Sequence, residues 1–183
     1  MKLSDMLVPT YVQMLKALAG WLAKAEERSE TLAPARLAAD MFPLSTQIRF
    51  ACVQAYEGIY RLRGEELPDA VQVLLDEGRA AADRPGSLAD AITRIDETVA
   101  AVTGLATTIP DIDPQAPIVH ALPMGMIFDL TAEQYVRDWA LPQFYFHVMT
   151  AYAILRSEGV DLGKADYVAH MFAYLRPGTM PAR

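Results

Sequence analysis

A single cysteine, Cys52, stands in a chain of 183 residues. One thiol excludes an intramolecular disulfide and gives too few ligands for a Cys-based metal site. A reducing cytoplasm is the compartment it suits. No stretch reaches the roughly 18 charge-free apolar residues that a membrane-spanning helix needs. The opening MKLSDML carries Asp5 where a secretory signal would run apolar, so no signal peptide is expected. Basic charge is scarce: 16 Lys and Arg against 23 Asp and Glu, a net charge of −7. That balance disfavours nucleic acid, whose phosphates demand clustered Lys and Arg. Small pairs such as Arg61 and Arg63 are read as solvated surface. P-loop, G-x-G-x-x-G and G-x-S-x-G motifs are all missing, and neither cofactor nor metal is expected.

What the chain has is apolar substance. Hydrophobic residues make up 52% and charged ones 21%, which excludes disorder. At this length about 70% of the unfolded chain's surface can be buried, so residues 1–183 are read as one domain.

Four segments carry helical periodicity. Val8, Tyr11, Met14, Leu15, Leu18, Leu22 and Ala25 define one face of the first, with Pro9 expected in or before its first turn. The second runs from Leu44 to Arg63 on Leu44, Ile48, Cys52, Ala55, Ile59 and Leu62, and Gly64 is placed to stop it. The third follows Pro85-Gly86, with Ser87 as N-cap and Asp90 three residues on, then Leu88, Ile92, Ile95, Val99 and Val102. Thr131 and Gln134 open the fourth as a capping box, and it is expected to reach Arg156, bend at Pro142 and be apolar on nearly every face from Trp139 to Leu155.

The connections differ in kind. Pro68 to Arg84 reads as a long crossover holding at most one short helix. A crossover of that length lets helices two and three run parallel, while one and two, and three and four, pair antiparallel. Between helices three and four, Ile118–Leu122 and Met126–Phe128 flank Pro123-Met124-Gly125, a pattern for a short β-hairpin. Lys164 to Leu175 is expected to form a last amphipathic helix, and the chain beyond Pro177-Gly178 to be loose. The fold class is therefore all-α, a four-helix bundle with one hairpin.

Candidate chemistry is sparse. His120, His147 and His170 are the only histidines, and none has a His, Asp or Glu partner one turn away on the same helix face, as a helical metal site wants, except that Asp166 lies four before His170. His147 sits mid-helix among apolar neighbours, with Gln143 and Thr150 on adjacent turns. It is either a core histidine satisfied by a hydrogen bond or a pocket-facing acid, base or ligand. Gln47 and Gln54 share a face of the second helix and either point into the cavity of His147 or are solvated amides. Asp40 either guards a pocket mouth or supports a helix start through its dipole, with Arg36 and Arg49 near enough to pair with it. Cys52, inside an apolar stripe, is read as a small buried hydrophobe.

Two stretches carry a resemblance. One is Asp40-Met41-Phe42-Pro43-Leu44 with Gln47. The other runs from Leu141-Pro142-Gln143-Phe144-Tyr145-Phe146-His147 through Thr150, Tyr152, Arg156 and Gly159 to Lys164 and Asp166. From Leu7 to about Val168 the chain resembles a bacterial domain-of-unknown-function family within the DinB/YfiT-like superfamily. The resemblance implies an up-down-down-up four-helix bundle. Many members of that superfamily look like metal-dependent enzymes, thiol transferases among them, with one histidine on helix two and two about four residues apart on the last helix. Here only His147 falls in a matching place; Ala151 stands at its i+4 position, and helix two has no histidine.

The expected function is thus a small-molecule-binding or non-catalytic bundle with a degenerate metal site and ligand-facing His147, Gln47, Gln54, Asp40 and Gln143. The alternatives are a metal-dependent enzyme of the thiol-transferase kind and a structural homodimer without ligand. A homodimer is expected in any case, because an all-round apolar fourth helix leaves surface for a partner.

Overall fold

The computed structural model describes residues 2–179; the rest, including the expected loose end at 180–183, lies outside the described residues. Helix α1 spans Leu3–Ala23 and buries Leu3, Leu7, Tyr11, Met14, Leu15, Leu18 and Leu22 on one stripe. The stripe reaches further back than expected. Pro9 therefore lies inside the helix rather than at its start. The backbone bond it forgoes is outweighed by burial of the two leucines that precede it. A single turn, α2 (Ser29–Leu32), leads to α3 (Leu44–Arg63), whose six predicted stripe residues are all buried. Gly64 ends α3 in the left-handed region at φ 67°.

The crossover holds one helix, α4 (Asp69–Ala80), before α5 (Leu88–Leu105). At the start of α5, Ser87 Oγ accepts from Asp90 N at 3.0 Å and Asp90 Oδ2 accepts from Ser87 N at 3.1 Å. The hairpin forms as read, with β1 (Pro117–Ala121) antiparallel to β2 (Ile127–Thr131) and His120 opposite Phe128. Gly125 turns it at φ 88°.

The fourth helix departs from expectation. Its capping box is present, Thr131 Oγ1 accepting from Gln134 N at 3.2 Å. But the helix is broken into α6 (Ala132–Gln134), a π-helical segment Tyr135–Ala140, and α7 (Leu141–Ser157). Pro142 has no N–H to give to the carbonyl four residues back, and a wider π-helical winding lies just before it. Nor is the helix buried all round: Phe146 and Met149 face outward at 55% and 38% exposure. The last segment also differs. It is one turn, α8 (Lys164–Tyr167), then a 3₁₀ stretch, Ala169–Tyr174, that leaves Met171, Phe172 and Tyr174 exposed. Trp21 Nε1 donates to Asp166 O at 3.3 Å, taking the carbonyl that a continuing α-helix would offer to residue 170.

Side-chain pairings fix the helix directions. Tyr11 meets Phe144 and Trp21 meets Tyr152, so α1 and α7 are parallel. Cys52 bonds the Arg94 carbonyl and Arg63 bonds Thr108, so α3 and α5 are parallel. Gln47 faces His147 while Glu57, ten residues on, lies within electrostatic reach of Tyr135, so α3 and α7 are antiparallel. This is the up-down-down-up arrangement. The crossover is fastened from inside: Thr46 Oγ1 donates to Gly78 O at 2.7 Å, and Glu77 accepts from Arg49 Nε at 3.0 Å and from Arg94.

Candidate functional site

The seam between α3 and α7 holds polar groups at both ends. At the end where α3 begins, His147 and Gln47 come together across 100 positions of sequence, Nδ1 to Oε1 at 2.8 Å. The amide's other end donates from Nε2 to Phe42 O at 3.3 Å. That bond orients the amide, so Oε1 faces the imidazole and the proton is assigned to Nδ1. Phe50 and Phe146 stand edge-on to the ring at centroid distances of 5.5 and 5.3 Å. Burial lowers the His147 pKa to about 4, so the ring is neutral.

The other expected site residues are placed apart from this pair. Gln54 is half-buried one helical stretch further along α3, close enough to the Glu57 carboxyl to act on it. Gln143 is half-buried one turn before His147 and makes no hydrogen bond to it. Asp40 is exposed in the turn ahead of α3. Arg36 donates to Met41 O and Arg49 to Glu77, so neither candidate partner engages Asp40. Cys52 is fully buried with its thiol pushed up to about 12, which makes it a packing residue.

The resemblance to DinB-like metal proteins can be tested on the donors present. Opposite His147 stands an amide already committed to the ring and to a backbone carbonyl, and the i+4 position holds the buried Ala151. Among the described residues no three His, Cys, Asp or Glu side chains gather in a way that could hold a metal ion. The donor set does not fit a transition metal.

The opposite end of the seam was not foreseen. There Tyr11 from α1, Arg61 from α3, His120 from β1, and Tyr135 and Trp139 from the π-helical segment converge. Their Oη, Nε, both ring nitrogens, Oη and Nε1 are buried without a hydrogen-bond partner. Tyr11, His120 and Tyr135 are at most 1% exposed. His120 packs on Trp139 at 4.4 Å and on Tyr135 at 5.5 Å between ring centroids. Glu57 Oε1 lies 3.9 Å from His120 Nδ1, beyond hydrogen-bond length. Burial raises the Glu57 carboxyl despite the Arg61 charge and the nearby Gln54 amide that oppose it. Burial, with Arg61 adding to it, lowers His120, so that ring is neutral too.

Nearly all buried polar groups in folded proteins are paired, so a gathering of unpaired ones marks a place where something other than the chain completes the bonds. π-helical turns recur at functional sites for a related reason: they turn side chains out of the regular helical register. Gly58 makes room for the phenol. A Cβ there would lie 2.2 Å from Tyr11 Oη. Gly58→Ala should therefore push Tyr11 out of the cluster and cost about 1–3 kcal/mol of stability, read by chemical denaturation. An unchanged midpoint would mean that Tyr11 is free to move.

Comparison with known proteins agrees with the fold. Residues 3–168 match the family described as Domain of unknown function (DUF1993). The chain is similar to a DinB family member protein from Shewanella denitrificans, known from its crystal structure. Identity is 31%, the TM-score is 0.71, and the match covers 98% of this chain and 96% of that one. No curated protein matches the chain.

Proposed function

The chain belongs to the DUF1993 family of DinB-like bundles, and from that premise we propose that it is a small-molecule-binding bundle that works without the metal of its superfamily. The recognition site is the cluster of Tyr11, Arg61, His120, Tyr135 and Trp139 beside Glu57, and His147 with Gln47 is a structural pair left where a metal site would be. One observation carries this reading. Six buried polar atoms lack partners at one end of the seam, whereas at the other end His147 Nδ1 and Gln47 are bonded. Unmade bonds cost about 1–3 kcal/mol each, a burden that a ligand would relieve.

A thermal-shift screen of small polar compounds tests the site. At least one compound should raise the melting temperature of the wild type and fail to do so for Tyr135→Phe. If none does, the cluster is a hydrated core. The metal half of the proposal has its own measurement. Protein purified without a His-tag or chelator should carry well under one Zn, Ni or Fe per chain by elemental analysis, and near-stoichiometric metal would overturn it.

The protein is further proposed to act as a homodimer. Val119, Met124, Met126 and Ile127 on the hairpin are 47–76% exposed, an apolar surface suited to a second copy. A monomer by light scattering at micromolar concentration would reject this part.

A further inference from the structure

The unpartnered groups around Tyr11 and Tyr135 are unequal in kind, and that inequality selects a ligand. Arg61 Nε and Trp139 Nε1 can only donate, and the two phenols donate readily. Neutral His120 adds one donor and one lone pair, and each phenol oxygen can also accept. The cluster thus presents five donors against three weaker acceptors, with its only full positive charge on Arg61. That surplus of donors suits a compact, acceptor-rich group, and a carboxylate offers about four lone-pair directions on two oxygens.

Arg61 also lines a surface cleft of about 320 Å³ between the end of α3 and β1, with Pro117, Ile118 and Val119 on the far wall. The cleft gives the remainder of such a molecule an apolar wall to lie on beside Arg61. We propose that the cluster binds the carboxylate of a small organic acid, with Arg61 as its charge partner, Tyr11, Tyr135 and Trp139 as hydrogen-bond donors, and Glu57 taking up one proton as the acid enters. This inference rests on the binding reading above and names its ligand class.

The proton follows from geometry. Glu57 lies 3.9 Å from His120 Nδ1 and is 15% exposed, so a second anion at the cluster would sit beside it in a poorly solvated place. Two carboxyl groups sharing such a site do not both stay ionised. The groups facing Glu57 are Arg61 and Gln54 on its own helix, Tyr11 on α1, Tyr135 on the π-helical segment and His120 on β1. Only Arg61 among them is cationic. Glu65 and Glu66 also line the cleft, and Glu65 is paired with Arg63. Glu57 is already biased towards its neutral form by burial, so the uptake completes a tendency of the free protein. A protonated Glu57 then becomes one more donor to the ligand.

The test uses the intact chain with acetate, propionate and benzoate as probes, against chloride at equal ionic strength. The carboxylates should raise the melting temperature above the chloride control. Between about pH 6 and 8 the probes stay ionised, so an affinity that falls as pH rises reports the proton taken up at Glu57. Glu57→Gln copies the protonated side chain and should bind with little pH dependence. Tyr135→Phe keeps the ring and the fold and should weaken binding about tenfold, the worth of one buried hydrogen bond. Three results would overturn the inference: no carboxylate-specific shift, loss of binding in Glu57→Gln, or full binding in Tyr135→Phe. If carboxylates fail while another compound stabilises in a Tyr135-dependent way, the ligand class falls and the site stands. If nothing stabilises, both fall.

Discussion

Glu77→Ala should lower the free energy of unfolding by about 2–3 kcal/mol. Arg49 is 5% exposed and sends its Nε to Glu77 at 3.0 Å; Arg94 reaches the same carboxylate from α5. Removing the acid leaves a buried guanidinium without its counter-charge, which is costly. Because the Glu77 side chain keeps 31% of its surface, the loss belongs at the low end of the buried range. Acid titration gives an independent view. The bond from Arg94, and then that from Arg49, hold the Glu77 carboxyl below the ordinary range. A carboxyl lowered in the folded state stabilises fully above its unfolded pKa, and that stability is lost as pH falls through the folded value. Glu77→Gln should therefore flatten the acid limb of the stability curve below about pH 4.5. Arg49 Nη1 also donates to Ser45 Oγ at 2.6 Å, and an unchanged limb would show that this bond holds the guanidinium without Glu77.

His147→Leu should also destabilise, by about 1–3 kcal/mol at neutral pH, because it strands Gln47 Oε1 in a side chain only 2% exposed. Replacing both residues removes both polar groups. The double variant His147→Leu with Gln47→Leu should thus recover much of the loss, a coupling that a double-mutant cycle in chemical denaturation measures directly. Additive losses would mean that the pair is not coupled. Acid adds a second handle. Burial lowers His147 to about 4 against an unfolded value near 6.5, so the folded state refuses a proton that the unfolded chain accepts. Stability should then be whole above about pH 6.5 and fall by roughly 3 kcal/mol on the way down to pH 4. That fall disappears in the leucine variant. A neutral or stabilising His147→Leu would move the histidine from structural pair to ligand pocket.

Much of the fold was legible because its signals are local. Ser87 with Asp90 and Thr131 with Gln134 announce two helix starts three residues ahead, and both capping boxes form. Gly125 between two apolar runs announces the hairpin. Gln47 was placed by its face of α3 and does meet His147. The misses are non-local. Pro9 was read by the rule that proline starts helices, which the burial of Leu3 and Leu7 overrides, and the π-helical turn ahead of Pro142 has no local signal. The last helix failed because a tryptophan from α1 claims its carbonyl.

The polar cluster was illegible for a deeper reason. Its members come from α1, α3, β1 and the π-helical segment, so no spacing joins them, and Tyr11 and Tyr135 alone look like any buried aromatic. Two hints existed. Gly58 sits in a helix between Glu57 and Arg61, where a larger neighbour would be expected on packing grounds. His120 alternates inward on a short strand with Ile118, so a titratable ring enters the core. Neither hint shows that the hydrogen bonds are left unmade; that is a property of the assembled interior.

The winding at Tyr135–Ala140 carries one residue more than a regular helix would use over the same rise. Such a turn takes in its extra residue by widening, so the stretches before and after it keep the phase of an uninterrupted helix. Trimming a single exposed position from it, Arg137 or Asp138, would let α6 and α7 fuse into one continuous rod, with Tyr135 still on the side of Tyr11 and Phe144 and Tyr152 still packed on α1. The segment is therefore a slack turn: its surplus residue sits on the outer face and loosens the winding beside the cluster while the apolar stripe of the bundle runs on undisturbed.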